Sequence, residues 1–408
     1  MISILDKKDC CGCGACVQSC PKQCISLTED DDGFLYPIIN LSFCVDCGLC
    51  TKVCPIQCLS ISREPLAVYA AKNKDEQIRL ESSSGGIFTL LAEHIIDEGG
   101  VVFGARFNTK WEVIHSYTDN KEGIRAFRGS KYVQSNIGNC YEIARSFLKQ
   151  GRKVLFSGTP CQIAGFKLFL HKEYSNLLTV DFICHGVPSP KVWKMYVKEV
   201  ISQNKNEGEL SSDICLNNVS FRNKNIGWRD YSLAFAFSEA NGKNKLYLES
   251  LSKSIYLCGF QEDLFLRPSC YSCPVKELRS NSDFTIADYW GIENVNKKFD
   301  DGKGCSAVML NTTQALSIYK LLQGEIDCFI SEYSLIKKYN HSILLSAKLH
   351  RNYSLFFKTL NQKKQAHQLI KKYSRPVLSR RLHVSVIIVL KRAGLYNVMK
   401  SIKDLLIK

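Results

Sequence analysis

The alternation of apolar and polar positions divides the chain into a short cysteine-rich front and a long layered body. Past residue 65, LAVYAAKN reads as a strand. SSSGGIFTLLAEHIIDEGG follows with the apolar spacing of a helix, serine N-cap candidates at Ser82 to Ser84 and a stop at Gly99. VVFGARF predicts a second strand, residues 137–150 a helix, and KVLFSG a third strand. A Thr-Pro turn then leads to a helix over 162–170. LLTVDFICHG predicts a buried strand, and SPKVWKMYVKEVISQ a helix opened by Ser-Pro. Strands alternating with helices predict α/β layers. Residues 210–300 read as strand-rich, and residues 361–408 as a basic, amphipathic, helical tail.

Residues 1–62 lack this alternation and carry an internal repeat. Cys10, Cys13, Cys16, Cys20-Pro21 and Cys24 recur in order as Cys44, Cys47, Cys50, Cys54-Pro55 and Cys58. Cys11 has no counterpart, since Val45 stands in its place. Between the halves, DDDGFLYPII predicts a turn and a short strand.

C-x2-C-x2-C-x3-C-P, present twice, is the spacing of bacterial two-cluster ferredoxins. Three close thiolates wrap one face of an iron–sulfur cube. The fourth cysteine, expected to start a helix, crosses to the other cluster. Gly12, Gly14, Ala15 and Gly48 are small enough for backbone amides to approach the sulfurs. The spacing therefore assigns Cys10, Cys13, Cys16 and Cys54 to one 4Fe–4S cluster, and Cys44, Cys47, Cys50 and Cys20 to another. Zinc sites usually draw on well-separated CxxC pairs, and disulfide frameworks belong to short secreted chains. Cys11, Cys24 and Cys58 read as packed thiols.

Composition adds limits. The 408 residues, 45% hydrophobic and 23% charged, suit more than one domain and a large core. Twenty cysteines without a signal-peptide pattern point to a soluble, cytoplasmic, reducing setting. VSVIIVL, from Val384 to Leu390, is far short of the ~20 residues that span a bilayer. Of the net charge of +15, +11 falls in residues 361–408, which hold 12 Lys and Arg against Asp404 alone. That concentration, with few aromatics and no nucleic-acid motif, argues against a nucleic-acid partner. The tail suits a capping helix with a solvated basic face, or contact with an acidic partner or an anionic membrane surface.

Four further cysteines stand out. Cys161 in SGTPCQ and Cys184 in FICHG follow predicted strand ends, where α/β folds place their sites. Cys270 and Cys273 form a CxxC in RPSCYSCP. They hold a third 4Fe–4S cluster, or they are core cysteines beside a local CxxC; spacing alone leaves both open. SSSGGIF at a helix start offers free amides to a phosphate or is a plain serine cap. The same two readings apply to GTPCQ and FRGSKYVQS. His185 is structural or moves protons. Trp290 in ADYWGI stacks on a flavin or packs.

Taken together, SSSGGIFTLLAEHII, GGVVFGARF, FRGSKYVQS, KVLFSGTPCQIAGFK, LLTVDFICHGVPSP and the stretch from LRPSCYSCP to ADYWGI resemble one family. It is the beta-subunit family of coenzyme F420 hydrogenases and dehydrogenases, in the form fused to a two-cluster ferredoxin module. The resemblance covers residues 1–310; the region past Asp301 and the tail match nothing assignable. It implies a flavoprotein that binds FAD and passes electrons between one-electron carriers and a two-electron partner, a deazaflavin in archaeal members. This chain resembles the bacterial branch, sometimes found near surface-polysaccharide genes, and the resemblance names no small-molecule acceptor for it. The resemblance also favours a third cluster at Cys161, Cys184, Cys270 and Cys273. It implies flavin contacts at Ser83, Ser84, Gly85, Gly86, Lys131, Thr159, Pro160, Gln162 and Trp290, with His185 as proton donor.

The expected fold is α+β, ferredoxin-like, over residues 1–62, then an α/β flavin-binding and iron–sulfur domain over 66–360, then the tail. Two functions fit: an oxidoreductase with its own organic acceptor, or an electron-transfer subunit feeding a separate enzyme. Either needs an electron-carrier protein as partner. The oligomeric state is left open.

Overall fold

The computed structural model describes residues 1–204, 214–239, 242–363 and 365–374. Thirteen strands run through them: β1 (Ile25–Glu29), β2 (Leu35–Ile39), β3 (Ala67–Asn73), β4 (Val101–Phe107), β5 (Val113–Thr118), β6 (Val154–Ser157), β7 (Leu177–Phe182), β8 (Cys215–Asn223), β9 (Ser232–Ser238), β10 (Asn244–Ser250), β11 (Phe284–Asp288), β12 (Ser306–Leu310) and β13 (Ile326–Ser331). They form an antiparallel β1–β2 pair, a three-stranded sheet of order β10-β9-β8, and an eight-stranded sheet of order β13-β3-β12-β11-β7-β6-β4-β5.

The central strands of the large sheet are buried on both faces, and they alternate accordingly. Val101, Phe103, Val154, Phe156 and Leu177 face the helices Cys140–Lys149 and Pro160–Leu170. Val102, Leu155, Leu178, Val180, Phe284 and Val308 face the helices Ile87–Asp97 and Thr313–Leu321. This period of two, with apolar residues at both phases, is what a strand covered on both sides requires. β4, β6, β7 and β11 are parallel neighbours, except that β11 reaches β4 only through β7 and β6. β3 shares their direction, because β12 runs antiparallel to both β11 and β3.

The carboxyl ends of β3, β6, β7 and β11 therefore open on one side of the sheet. The segments that follow them are SSSGG, GTPCQ, ICHG and YWG. This is where open α/β sheets place ligands.

The tail expectation divides. Helix Ala366–Tyr373 buries Ala366, Leu369, Ile370 and Tyr373 in the cluster that also holds Trp193, Tyr256 and Phe356. Glu199 caps it by accepting from the backbone N–H groups of Ala366 and His367. Residues 375–408, with the apolar run VSVIIVL and most of the basic charge, lie outside the described residues. No helix among the described residues is long and apolar enough to cross a membrane.

Candidate functional site

The two halves of the repeat adopt the same local backbone. In each, a glycine with positive φ (Gly14, +74°; Gly48, +73°) starts a one-turn helix, Ala15–Gln18 or Leu49–Lys52. Side-chain-bearing residues rarely adopt that φ, so the glycines set the loop. Cys20 and Cys54 follow these helices; the expectation that they begin one does not hold, because the chain bends at the next residue, Pro21 or Pro55.

Cys13, Cys16 and Cys54 are buried together, and Cys16 lies in the electrostatic reach of both Cys10 and Cys54. Burial pushes the Cys16 thiol up to about 12, so a metal must displace its proton. Cys20, Cys44, Cys47 and Cys50 line a second hollow, with Cys24. The backbone N–H of Ile2 points at Cys50 Sγ, 3.2 Å away. The chain thus lines one hollow with the second predicted set, and buries three of the first set with Cys10 in electrostatic reach. Of the cysteines set aside as packed thiols, Cys24 is buried 3.4 Å from Cys20 Sγ. Cys58 is exposed instead, because its loop ends at the surface, with Sγ near Thr51 O.

A third gathering of sulfur lies at the carboxyl ends of β6 and β7. Cys161, Cys184, Cys270 and Cys273 line one pocket. Cys270 feels the charge of each of the other three. The backbone N–H of Val187 donates to Cys270 Sγ at 3.4 Å, and Thr159 Oγ1 lies 3.2 Å from Cys161 Sγ. Burial pushes Cys184 up to about 12. The four thiols the sequence singled out thus line one pocket, with polar groups aimed at two of their sulfurs. Cys11, expected to be an ordinary packed thiol, lines the same pocket and makes sulfur contacts with Cys13 and Cys161. Nothing in the repeat signals this, because the contact depends on how the front docks.

His185 stands on this pocket's wall. Its Nε2 meets Asp263 Oδ1 at 2.5 Å, and its Nδ1 lies 3.5 Å from Ser342 Oγ. Lys276 Nζ donates to Cys184 O and Ser342 O.

Of the residues expected to contact a flavin, Pro160 lines this pocket, and most of the others are engaged in contacts within the protein. Ser83 Oγ accepts from Ser130 N at 2.7 Å, which ties the serine loop to FRGSKYVQS. Ser84 Oγ donates to Cys305 O, and Gly85 N to Ser306 Oγ. A Cβ on Gly85 would sit 2.4 Å from Ala71 O, so only glycine fits there. Gly86, at φ +82°, is the N-cap of Ile87–Asp97, with no side-chain cap bond. The serines expected to cap that helix are engaged elsewhere: Ser82 Oγ donates to Ile78 O, Ser83 Oγ accepts from Ser130, and Ser84 Oγ donates to Cys305 O. Thr159 and Gln162 close a capping box on Pro160–Leu170, and Gln162 also bonds Ser135 Oγ. Trp290 stacks on Trp228 at 5.0 Å and 6°.

Two lysines flank the serine loop. Lys131 Nζ donates to Ala126 O and Arg128 O, and Lys224 Nζ to Arg79 O, Ser84 O and Lys303 O. Among the described residues neither has a carboxylate within 4.0 Å, and burial pushes both down to about 7. Lys224 was not legible in the sequence. It lies in the irregular stretch after β8, in no recognisable motif. Arg222, inside β8, stands in no recognisable motif either; its guanidinium pairs with Asp288 at 2.8 Å and reaches Ser83 O.

The fold and its cysteine sites define an iron–sulfur protein of oxidoreductase type. Residues 9–58 match the 4Fe-4S dicluster domain. Residues 68–140 match the N-terminal model, and residues 151–328 the C-terminal model, of the coenzyme F420 hydrogenase/dehydrogenase beta subunit. The two beta-subunit models together cover well over half of the chain, and the chain belongs to that family, here preceded by the dicluster domain. No curated protein matches it. Among solved structures, it is similar to a chain from the xenon-derivatised F420-reducing NiFe hydrogenase complex of Methanosarcina barkeri. The identity is 16% and the TM-score 0.44, over 69% of this chain and 89% of that one.

Proposed function

We propose that the protein is an iron–sulfur flavoprotein that exchanges electrons between a carrier protein and an organic two-electron acceptor or donor, such as a deazaflavin or a biosynthetic intermediate. The observation that carries this reading is the convergence of Cys161, Cys184, Cys270 and Cys273 directly behind the buried first cysteine loop. The division of labour is residues 1–62 as electron inlet and 66–360 as the flavin and iron–sulfur body.

Cys10, Cys13, Cys16 and Cys54 would hold one 4Fe–4S cluster, Cys20, Cys44, Cys47 and Cys50 a second, and the four body cysteines a third. FAD would lie along a band from Ser83–Gly86 through Lys131 to Thr159–Gln162. Clusters supply one-electron steps, and a flavin joins them to two-electron chemistry. Lys131 and Lys224, half-buried amines whose partners are carbonyls, suit an anionic diphosphate. His185, oriented by Asp263, is placed to give or take a proton at the pocket wall. Trp290, half-buried and backed by the buried Trp228, suits a flavin-facing wall.

The carrier partner would dock at the second hollow, where Cys47 is exposed beside exposed Leu41, Phe43 and Val45. The test is anaerobic reduction with a ferredoxin, followed by acceptors monitored through flavin reoxidation. Turnover by the isolated chain supports the reading. A flavin-free chain that reduces no acceptor, but co-purifies with a second enzyme, leaves it an electron-transfer subunit only.

A further inference from the structure

Arg267 is among the largest fully buried side chains, 0% exposed. It stands just before Pro268 and the turn that carries Cys270 and Cys273, yet reaches the other way, to the first cysteine loop. Its Nε donates to Cys10 O at 2.7 Å, and its Nη2 to Leu35 O at 2.9 Å and Cys10 Sγ at 3.5 Å. Nη1 donates to Gln134 Oε1 at 3.0 Å. The guanidinium lies 4.3 Å from the ring centre of Tyr36. Gly12 leaves it room: a Cβ there would meet Arg267 Nη1 at 2.7 Å.

Among the described residues, no carboxylate lies within 4.0 Å of this cation. A guanidinium taken fully out of water without an anion is strongly disfavoured. What faces it in place of a carboxylate is sulfur: Cys10 Sγ lies 3.5 Å from Nη2.

We propose that Arg267 is the built-in counter-ion of the iron–sulfur cluster at Cys10, and that it raises that cluster's reduction potential. The proposal rests on the ligand assignment above. Adding an electron makes a thiolate-bound cluster more negative, so a fixed neighbouring cation favours the reduced form. The charge is held by bonds to backbone carbonyls and Gln134, so it does not reorient as the cluster changes charge. Arg267 is a positioning and tuning residue rather than a ligand.

The experiment is a redox titration of the full chain, followed by low-temperature EPR under anaerobic conditions. Cys16→Ser identifies which signal belongs to the first cluster. In Arg267→Gln, at the wild-type midpoint of that cluster, the reduced-to-oxidised ratio should fall at least tenfold, which is 59 mV for one electron. Gln134→Glu should move it the same way, because a carboxylate beside Nη1 cancels the charge with Arg267 still in place. Arg267→Lys should recover part of the wild-type value, and the cluster at Cys44 should not move in any variant. If Arg267→Gln does not fold, Gln134→Glu decides. Variants with wild-type iron and an unmoved first midpoint would overturn the proposal. A wild-type chain whose front binds no cluster would instead overturn the ligand assignment.

Discussion

Cys11 and Cys161 lie far apart in the sequence and in sulfur contact in the fold. Between them run the buried first loop and the wall of the four-cysteine pocket, so a thiol that no motif requires becomes the link between two sites. Lys131 and Lys224 gain meaning in the same way, as amines held by carbonyls on either side of the serine loop. Their role can be tested by FAD titration. Lys131→Gln should weaken FAD binding about tenfold to a hundredfold, the worth of a hydrogen bond to a charged group. The wild-type affinity should also depend on pH. Below the lysines' depressed pKa of about 7, both ammonium groups are already formed and affinity is at its plateau. Above it, binding an anion must first take up protons, so affinity falls as pH rises. An affinity flat from pH 6 to 9 would remove these lysines from the site.

Helix Pro160–Leu170 carries two tasks. Its first turn presents Cys161 to the pocket, and at Gly165 its flank lies against the first cysteine loop. A Cβ on Gly165 would sit 2.8 Å from Cys13 Sγ. Gly165→Val should therefore push the helix off the loop and lower the iron content of the front, checked by iron analysis and by the EPR signal of the first cluster. β5 supplies a second element-scale test. His115 is buried, stacks on Phe156 and bonds Ser157 O through Nε2, which leaves Nδ1 without a partner among the described residues. Burial pushes it down to about 4. The unfolded chain, with an ordinary histidine near 6.5, takes up the proton first. Stability should be flat above that pH, fall by up to about 3 kcal/mol toward pH 4, and then level off in this contribution. Denaturant melts of His115→Gln should lose that step.

The strands and helices of the body were legible because residues covered on both faces leave apolar runs that strand and helix periods divide cleanly. The cysteine repeat was legible because its ligands are local. What the sequence did not reveal depends on docking. Gly12 and Gly33 accept the body at close range, and a Cβ on Gly33 would lie 2.2 Å from Lys191 Cβ. Arg267 spans from the CxxC turn to Cys10, and the serine loop packs on β12 rather than capping its helix. None of these contacts has a sequence period.

At the scale of the molecule, the large sheet gathers four loops at one side, and the front docks on the body beside one of them, where Cys11 meets the pocket that holds Cys161. Ser189 Oγ donates to Asp32 O, Lys191 Nζ to Asp31 O, and Gln134 Nε2 to Cys11 O. This architecture sets the second cysteine hollow at the surface, the first at the junction and the third inside the body. The most direct test of the account is the iron and flavin content of anaerobically purified wild-type protein and of Cys270→Ser. The account predicts about twelve irons and one FAD per chain, falling to about eight irons in the variant with the front's EPR signals intact. About eight irons in both proteins, with no affinity for flavin, would contradict it.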